Sequence, residues 1–363
     1  MTSIPTIDIS PLVRLGESCN DSTTEELQCV IDQIKGACQT FGFFAITNHG
    51  VDSEIITSAW DASKDFFDCD TATKGSVCMT PTYPYGYENI ESLGIERSAS
   101  SAADAVSALE DCLSADSKET FSIGPFNSEK SGMPARQFPV NAPSSFEPAL
   151  SQYFSSMEKL ARILFRGLAL ALELDDTSWF LREGCFDDGH QCALRILNYP
   201  ALEYEKETGS KSNQVHIRAG AHTDYGAMTI LKSGGPGLQL QLASSSSDET
   251  NNTNNSSLWI DVPHLEDAFI INLGDLMQRW TNDHWKSTLH RVIAVADKND
   301  DKTENGTFKS ARRQSIAFFV NMNGNAAIVP FESCVDDERP SRYDAIKASE
   351  HLVRRHSQSM GNK

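Results

Sequence analysis

The chain has 363 residues, 39% of them hydrophobic, enough to bury a sizeable core in one large β domain with helical additions or in two domains. Its 50 acidic side chains outnumber the 31 basic ones, giving a net charge of −19. That balance excludes a Lys/Arg surface that would neutralise nucleic-acid phosphates or anionic lipid, and it points to a small-molecule partner with no nucleic acid and no membrane.

The N-terminal stretch "MTSIPTIDIS" lacks the basic flank and apolar core of a secretory signal, and no run of 18 apolar residues follows anywhere, so a cytoplasmic location is expected. In "TEELQCVIDQIKGACQTFG" the residues Leu27, Val30, Ile31, Ile34, Ala37 and Cys38 recur at helical spacing, with Thr23 or Thr24 as N-cap and Gly42 as stop. The short apolar run "FFAITNHGV" reads as a strand, and a second helix is expected from Ser53 to Phe67. Between Cys69 and Asn141 the chain is rich in Ser, Gly, Pro and Tyr with little periodicity, a loop region in which "YPYGYE" gathers three aromatics. A long amphipathic helix follows in "FEPALSQYFSSMEKLARILFRGLALALELD", with Leu160, Ile163, Leu164, Leu168 and Leu172 among its apolar positions.

From residue 190 the texture becomes β. "CALRILNYP", "AMTILKS", "GLQLQL", "LWIDVP", "AFIINLGD", "HRVIAVA" and "SIAFFVNM" are short strand-like runs separated by turns, a pattern of sandwiches and barrels. They are interrupted by "ASSSSDETNNTNNSS", whose polar composition cannot bury apolar area, so residues 244–257 are expected to form a disordered insertion. "RYDAIKASEHLVRRH" reads as a closing helix. The nine cysteines, an odd number with no CxxC pair, read as reduced thiols and not as a disulfide framework or a structural zinc site. The glycosylation-type triplets at Asn251, Asn254, Asn255 and Asn305 then read as polar loop. Nothing in the pattern sets an oligomeric state, and a monomer is the expectation.

In "GAHTDYGAMTIL", His222 and Asp224 stand two apart, so on a single strand both would point to one face. His290 in "STLHRVIAV" opens another expected strand that a barrel would bring across from the first. Two imidazoles and one carboxylate on one side of a metal leave its other positions open, the donor set of non-haem Fe(II) oxygenases. Arg313 and Ser315 in "ARRQSIAFFV" also share a strand face, where a planar guanidinium and a hydroxyl make a clamp for a carboxylate; Arg312 reads as a surface ion pair.

The series "RILNYP", "AHTDYGAMTIL", "GGPGLQLQ", "AFIINLGDLMQRWTNDHWKSTLHRV" and "RRQSIAFFVN", preceded by "IPTIDIS" and "FGFFAITNHGV", resembles the isopenicillin N synthase-like family of Fe(II)/2-oxoglutarate-dependent dioxygenases from near the N-terminus to the last helix. The resemblance implies a mainly β protein with a distorted double-stranded β-helix (jelly-roll) core flanked by N- and C-terminal helices. Residues 1–150 would form an N-terminal helical and mixed region packed on a core of residues 151–363. It further implies that His222, Asp224 and His290 bind Fe(II), that Arg313 and Ser315 hold the distal carboxylate of 2-oxoglutarate with help from Tyr199, and that dioxygen is the oxidant. Phe319 falls where the family packs an aromatic beside the substrate. Tyr83, Tyr85, Tyr87 and Arg97 lie in a segment that approaches the site in related enzymes, and Arg97 there would pair with a substrate carboxylate. His49 reads as structural, and His190, His216, His264, His284, His351 and His356 as uninvolved.

The implied activity is oxidation of an unactivated C–H bond in a small, carboxylate-bearing, amino-acid-derived metabolite by hydroxylation, desaturation or ring closure, kainoid-type cyclisation of a prenylated amino acid being one specific case. Two alternatives stay open on the residues alone: an oxidase of the same fold that takes no keto acid, and a non-catalytic ligand-binding barrel. Deleting residues 244–257 is expected to leave Fe(II) binding intact; a deletion variant that folds but no longer binds Fe(II) would contradict this reading.

Overall fold

The structure, a computed structural model, describes residues 3–17, 24–89, 118–205, 216–242, 258–296 and 307–361. Its helices are α1 (Ser10–Glu17), α2 (Glu25–Thr40), α3 (Ser53–Phe67), the single turns α4 (Thr71–Lys74) and α5 (Ser128–Ser131), the long α6 (Phe146–Ala171), the short α7 (Asp275–Trp280) and α8 (Ala348–Gly361). The six α2 positions picked out by their spacing are the six that it buries. Thr24 caps it by accepting a hydrogen bond from the Leu27 amide at 3.2 Å, satisfying one of the amides that a helix start leaves open. Gly42 follows with φ +64, and a Cβ there would stand 2.1 Å from the Lys286 carbonyl oxygen, so only glycine fits this turn. Asp52 caps α3, and the expected bounds of that helix are the observed ones.

The strands are β1 (Thr6–Asp8), β2 (Phe43–Thr47), β3 (Gly86–Asn89), β4 (Glu119–Ile123), β5 (Ala193–Tyr199), β6 (Leu202–Glu205), β7 (Ile217–His222), β8 (Met228–Ser233), β9 (Leu238–Leu242), β10 (Leu258–Asp261), β11 (Phe269–Leu273), β12 (His290–Ile293), β13 (Thr307–Ser310), β14 (Arg313–Val320), β15 (Ala327–Ile328) and β16 (Ile346–Lys347). Eight of them form one sheet in the order β1-β2-β11-β8-β14-β5-β4-β3, and four form a second in the order β10-β9-β12-β7. This is the jelly-roll core with helical additions. Strands β1 to β4 come from the first 150 residues and α6 runs across position 150, so the N-terminal region and the core share one sheet.

Two apolar clusters sort the faces of the large sheet. Ile316, Phe318 and Val320 of β14, Leu194 and Ile196 of β5, and Phe44 and Ile46 of β2 pack with α2, α3 and α6. The alternate residues Tyr199, Phe43, Ala45 and Ile270 join Ala219, Leu238, Leu240 and Val292 of the small sheet. The period-two alternation of a strand therefore leaves Arg313, Ser315, Ala317 and Phe319 of β14, and Arg195 and Leu197 of β5, on the face turned between the sheets.

Some expectations are corrected. The loop expected from Cys69 to Asn141 contains β3 and β4, which extend the large sheet, besides the turns α4 and α5. The closing helix begins at Ala348, because Ile346 and Lys347 pair with Ile328 and Ala327 first. Helices α1 and α7 were not anticipated by spacing. The insertion 244–257 lies outside the described residues.

On the helical side, Phe66 is fully buried, stacked on Phe146 at a centroid distance of 4.3 Å and edge-on to Phe121 at 5.0 Å. Phe66→Ala is expected to lower unfolding free energy by about 3–5 kcal/mol, the usual cost of emptying such a site, as measured by denaturant titration.

Candidate metal centre and anion pocket

His222 is the last residue of β7 and His290 the first of β12, and the two are direct partners across the ladder, so one cross-strand pair sets both imidazoles side by side with ring centroids 4.3 Å apart. Asp224 is not on that strand. The chain leaves the ladder after His222, and Asp224 lies in the turn before β8, held by backbone bonds from the segment after β11: the Asp275 amide donates to the Asp224 carbonyl at 2.8 Å and the Leu276 amide to that of Gly226 at 3.1 Å. The turn, and not strand alternation, brings the carboxylate to the histidines.

One donor atom from each of His222, Asp224 and His290 lies within 4.8 Å of the others, and no other cluster of this kind occurs among the described residues. His222 Nδ1 is 2.8 Å from the Gly220 carbonyl and His290 Nδ1 3.1 Å from that of Thr288. A carbonyl only accepts, so each Nδ1 carries the proton and each Nε2 presents its lone pair to the centre, the orientation that metal-binding imidazoles take from their outer partners. Asp224 is sorted in the same way. Its Oδ2 receives bonds from Thr229 Oγ1 at 2.5 Å and Asn272 Nδ2 at 2.7 Å, while Oδ1 faces His222 Nε2 at 3.9 Å. Burial pushes the Asp224 carboxyl up, but the two imidazoles and these bonds outweigh it and hold it below the usual carboxylate range. The packed groups around its ring, which desolvate it although 46% of the side chain is still exposed, and then the neighbouring His290 pull His222 down to about 4, so it is neutral near pH 7. This donor set, deprotonated and convergent with its outer atoms occupied, fits a divalent metal such as Fe(II).

Further into the barrel, Arg313 and Ser315 are 6% and 2% exposed. Arg313 donates from Nη2 to Ser233 Oγ at 2.8 Å and from Nε to the Pro236 carbonyl at 3.2 Å, and its guanidinium lies 5.2 Å from the ring centroid of Tyr199, its partner across the ladder. No carboxylate among the described residues pairs with it. A second arginine that spacing did not reveal, Arg218, is buried nearby and, among the described residues, bonds only to Ser310 Oγ and the Ala311 carbonyl, with its Nε unpartnered. Burial, and for Arg218 then Arg313, lowers both guanidinium pKa values. Two buried cations without a described counter-ion fit a dicarboxylate such as 2-oxoglutarate.

Towards the other end of β14, the Arg195 guanidinium lies 5.6 Å from the centroid of Phe319 and donates to Ser122 Oγ at 2.9 Å. Arg195 was missed in the sequence, although its alternation with Leu197 and Tyr199 would have placed it on the inner face. Tyr87 is corrected: it points to the opposite face, edge-on to Phe66 in the helical core, with its hydroxyl on Glu119 at 2.6 Å. Tyr85 is buried against Tyr83 and beneath Gly124, where a Cβ would meet its ring at 2.4 Å, and its described contacts do not reach the triad. Arg97 lies outside the described residues. Arg312 pairs with Asp68 at 2.5 Å, and His49 accepts from the Val51 amide against Phe269.

Two family models match the chain, non-haem dioxygenase in morphine synthesis N-terminal over residues 4–144 and 2OG-Fe(II) oxygenase superfamily over residues 191–322. A homoarginine-6-hydroxylase of Oryza sativa subsp. japonica is 27% identical, covering 97% of this chain and 96% of its own. The clavatol oxidase of Penicillium crustosum is 28% identical, covering 96% and 94%. A full-length Neurospora crassa protein, crystallised with alpha-KG (2-oxoglutarate) and thymine, superposes with a TM-score of 0.74 at 26% identity, covering 98% of this chain and 97% of that one.

Gly274 packs so closely on the metal turn that a Cβ would stand 2.2 Å from the Gly226 carbonyl oxygen and 2.9 Å from that of Asp224. Gly274→Ala is expected to cost about 1–3 kcal/mol of stability by overpacking and to weaken metal binding together with it. Thermal unfolding with and without Mn(II) checks both, and a stabilised variant would show the packing to be looser than described.

Proposed function

Because the chain belongs to the 2OG-Fe(II) oxygenase superfamily and is an Fe(II)- and 2-oxoglutarate-dependent oxidoreductase, we propose that it oxidises an unactivated C–H bond of a small, carboxylate-bearing, amino-acid-derived metabolite, with His222, Asp224 and His290 as the iron ligands. The observation that carries the ligand assignment is the convergence of three sorted donor atoms, two Nε2 lone pairs and one carboxylate oxygen, whose outer atoms are all occupied by protein partners. Iron bound there supplies dioxygen activation coupled to oxidative decarboxylation of 2-oxoglutarate to succinate and carbon dioxide.

The chain's own residues hold and orient. Arg313 presents a fixed guanidinium fork and Ser315 a hydroxyl to the distal carboxylate of the keto acid, and Tyr199 walls the same corner. Such burial excludes water and strengthens each charge-assisted bond. For the primary substrate, Arg195 is the inner-face cation nearest Phe319. Apart from Ser122 and that ring, its guanidinium has no described hydrogen-bond or ion-pair partner, so it suits a substrate carboxylate while Phe319 packs an apolar part. The homoarginine hydroxylases among the relatives are named for an amino-acid substrate, which supports this class. Hydroxylation, desaturation and ring closure differ in where the substrate carbon sits relative to the oxidant, and kainoid-type cyclisation remains within the proposed range. The protein has no helix, among the described residues, long and apolar enough to cross a membrane.

Succinate release from 2-oxoglutarate, screened against amino-acid-derived acids and their methyl esters, tests the reading. Asp224→Ala is expected to abolish substrate-dependent succinate, and succinate retained in that variant contradicts the triad. Arg195→Leu is expected to raise KM for the acid by about 10-fold to 100-fold, the cost of about 1.5–3 kcal/mol for a lost charged hydrogen bond, and to leave the ester unaffected. Equal effects on acid and ester would contradict a carboxylate contact at Arg195.

A further inference from the structure

The C-terminal helix reaches the metal turn through one side chain. On α8 the residues Ala348, His351, Leu352 and Arg355 lie on one face at helical spacing, and Ala348 and His351 are buried. Arg355, half-buried at the end of this face, donates from Nη2 to Thr223 Oγ1 at 2.9 Å. Its Nε stands 2.7 Å from Asp275 Oδ2 in an ion pair, and its guanidinium lies 4.9 Å from the ring centroid of Tyr225. The adjacent His356 meets the same ring edge-on at 5.2 Å.

These contacts converge on one small piece of backbone. Thr223 is the residue between His222 and Asp224, and Tyr225 is the next after Asp224. Asp275 is the residue whose amide bonds the Asp224 carbonyl, in a segment that also bonds Ala227 through the Gly274 amide at 3.0 Å. A single guanidinium thus ties the turn that carries the carboxylate ligand to the segment that supports it from behind. Arginine suits this task, because one nitrogen donates to the turn while the charge pairs with Asp275 and the guanidinium lies over an aromatic ring.

Resting on the metal-site reading above, we infer that Arg355 is a positioning residue that latches the C-terminal helix onto the metal turn, so that metal affinity depends on docking of α8. Arg355 touches no ligand atom. It acts through Thr223, Tyr225 and Asp275 by holding the turn in the conformation that aims Asp224 at the two histidines, and the docked helix in turn depends on that conformation. Outer-shell contacts of this kind typically contribute a factor of about 10–100 to metal affinity.

The test is Mn(II) affinity of the full chain, read from the EPR signal of the free ion, beside the melting temperature of the metal-free protein. Arg355→Ala is expected to weaken Mn(II) binding by about tenfold or more, whereas Val353→Ser on the exposed side of the same helix leaves it unchanged. Thr223→Val, which removes one hydroxyl and keeps the shape, is expected to weaken it less, and the double variant to bind no more weakly than Arg355→Ala alone, since both act on one contact. Should Arg355→Ala not fold, the loss in Thr223→Val carries the test, and unaltered affinity there overturns the latch. A folded Arg355→Ala whose melting temperature falls while its Mn(II) affinity stays within about twofold, far short of the outer-shell range, overturns the latch alone. A parent protein that binds no Mn(II) overturns the metal-site reading and the latch with it.

Discussion

A carboxylate that is 8% exposed between two β-sheets is the constraint on which the site turns. A buried charge without partners costs several kcal/mol, so Asp224 is tolerable only where hydrogen bonds and cations compensate it. Thr229 from β8 and Asn272 from β11 satisfy one oxygen and leave the other facing the two imidazoles. Both partners sit opposite one another on adjacent strands of the large sheet, so the register of β8 with β11 sets the carboxylate's orientation. The register of β7 with β12 sets the histidines. The three donor groups are therefore brought together where strands of both sheets flank a single turn.

Charge is divided along the barrel. The protein as a whole is strongly acidic, yet its interior holds Arg313 and Arg218 without a described acid partner and Arg195 on the inner face towards Phe319. An acidic exterior keeps the chain away from polyanions, while isolated interior cations favour small carboxylates that can enter. A keto diacid held at Arg313 and a substrate acid held at Arg195 would meet the metal ligands from two ends of β14. On the proposed reading, β14 would set the spacing between the co-substrate and the substrate.

Much of this was legible in the sequence because it rests on period. The apolar stripe of α2, the bounds of α3 and the alternation of β14 each follow from local spacing, and the triad followed from residue type combined with the resemblance. What spacing could not show depends on partners distant in the chain. Strands β3 and β4 are short and lie at one end of the large sheet, and they are strands only because β5 is there to pair with β4. The His-x-Asp spacing suits a strand, whereas Gly274 and Asp275 hold Asp224 in a turn from 50 residues away. The segment of Tyr87 points to the site, but one step of strand parity puts its side chain in the opposite core. Arg195 and Arg355 passed as ordinary charged residues until the sheet and the last helix brought them beside Phe319 and Thr223.

The central claim, that the triad and the Arg313 corner together make one iron and keto-acid site, is tested most directly under anaerobic conditions. Fe(II) and then 2-oxoglutarate are titrated into the protein while the visible metal-to-ligand charge-transfer absorption is followed. The account predicts that the band appears in the parent, is absent in Asp224→Ala, and is weakened in Arg313→Ala through poorer binding of the keto acid. Iron that binds without any band on adding 2-oxoglutarate, or a band undiminished by both substitutions, would contradict it.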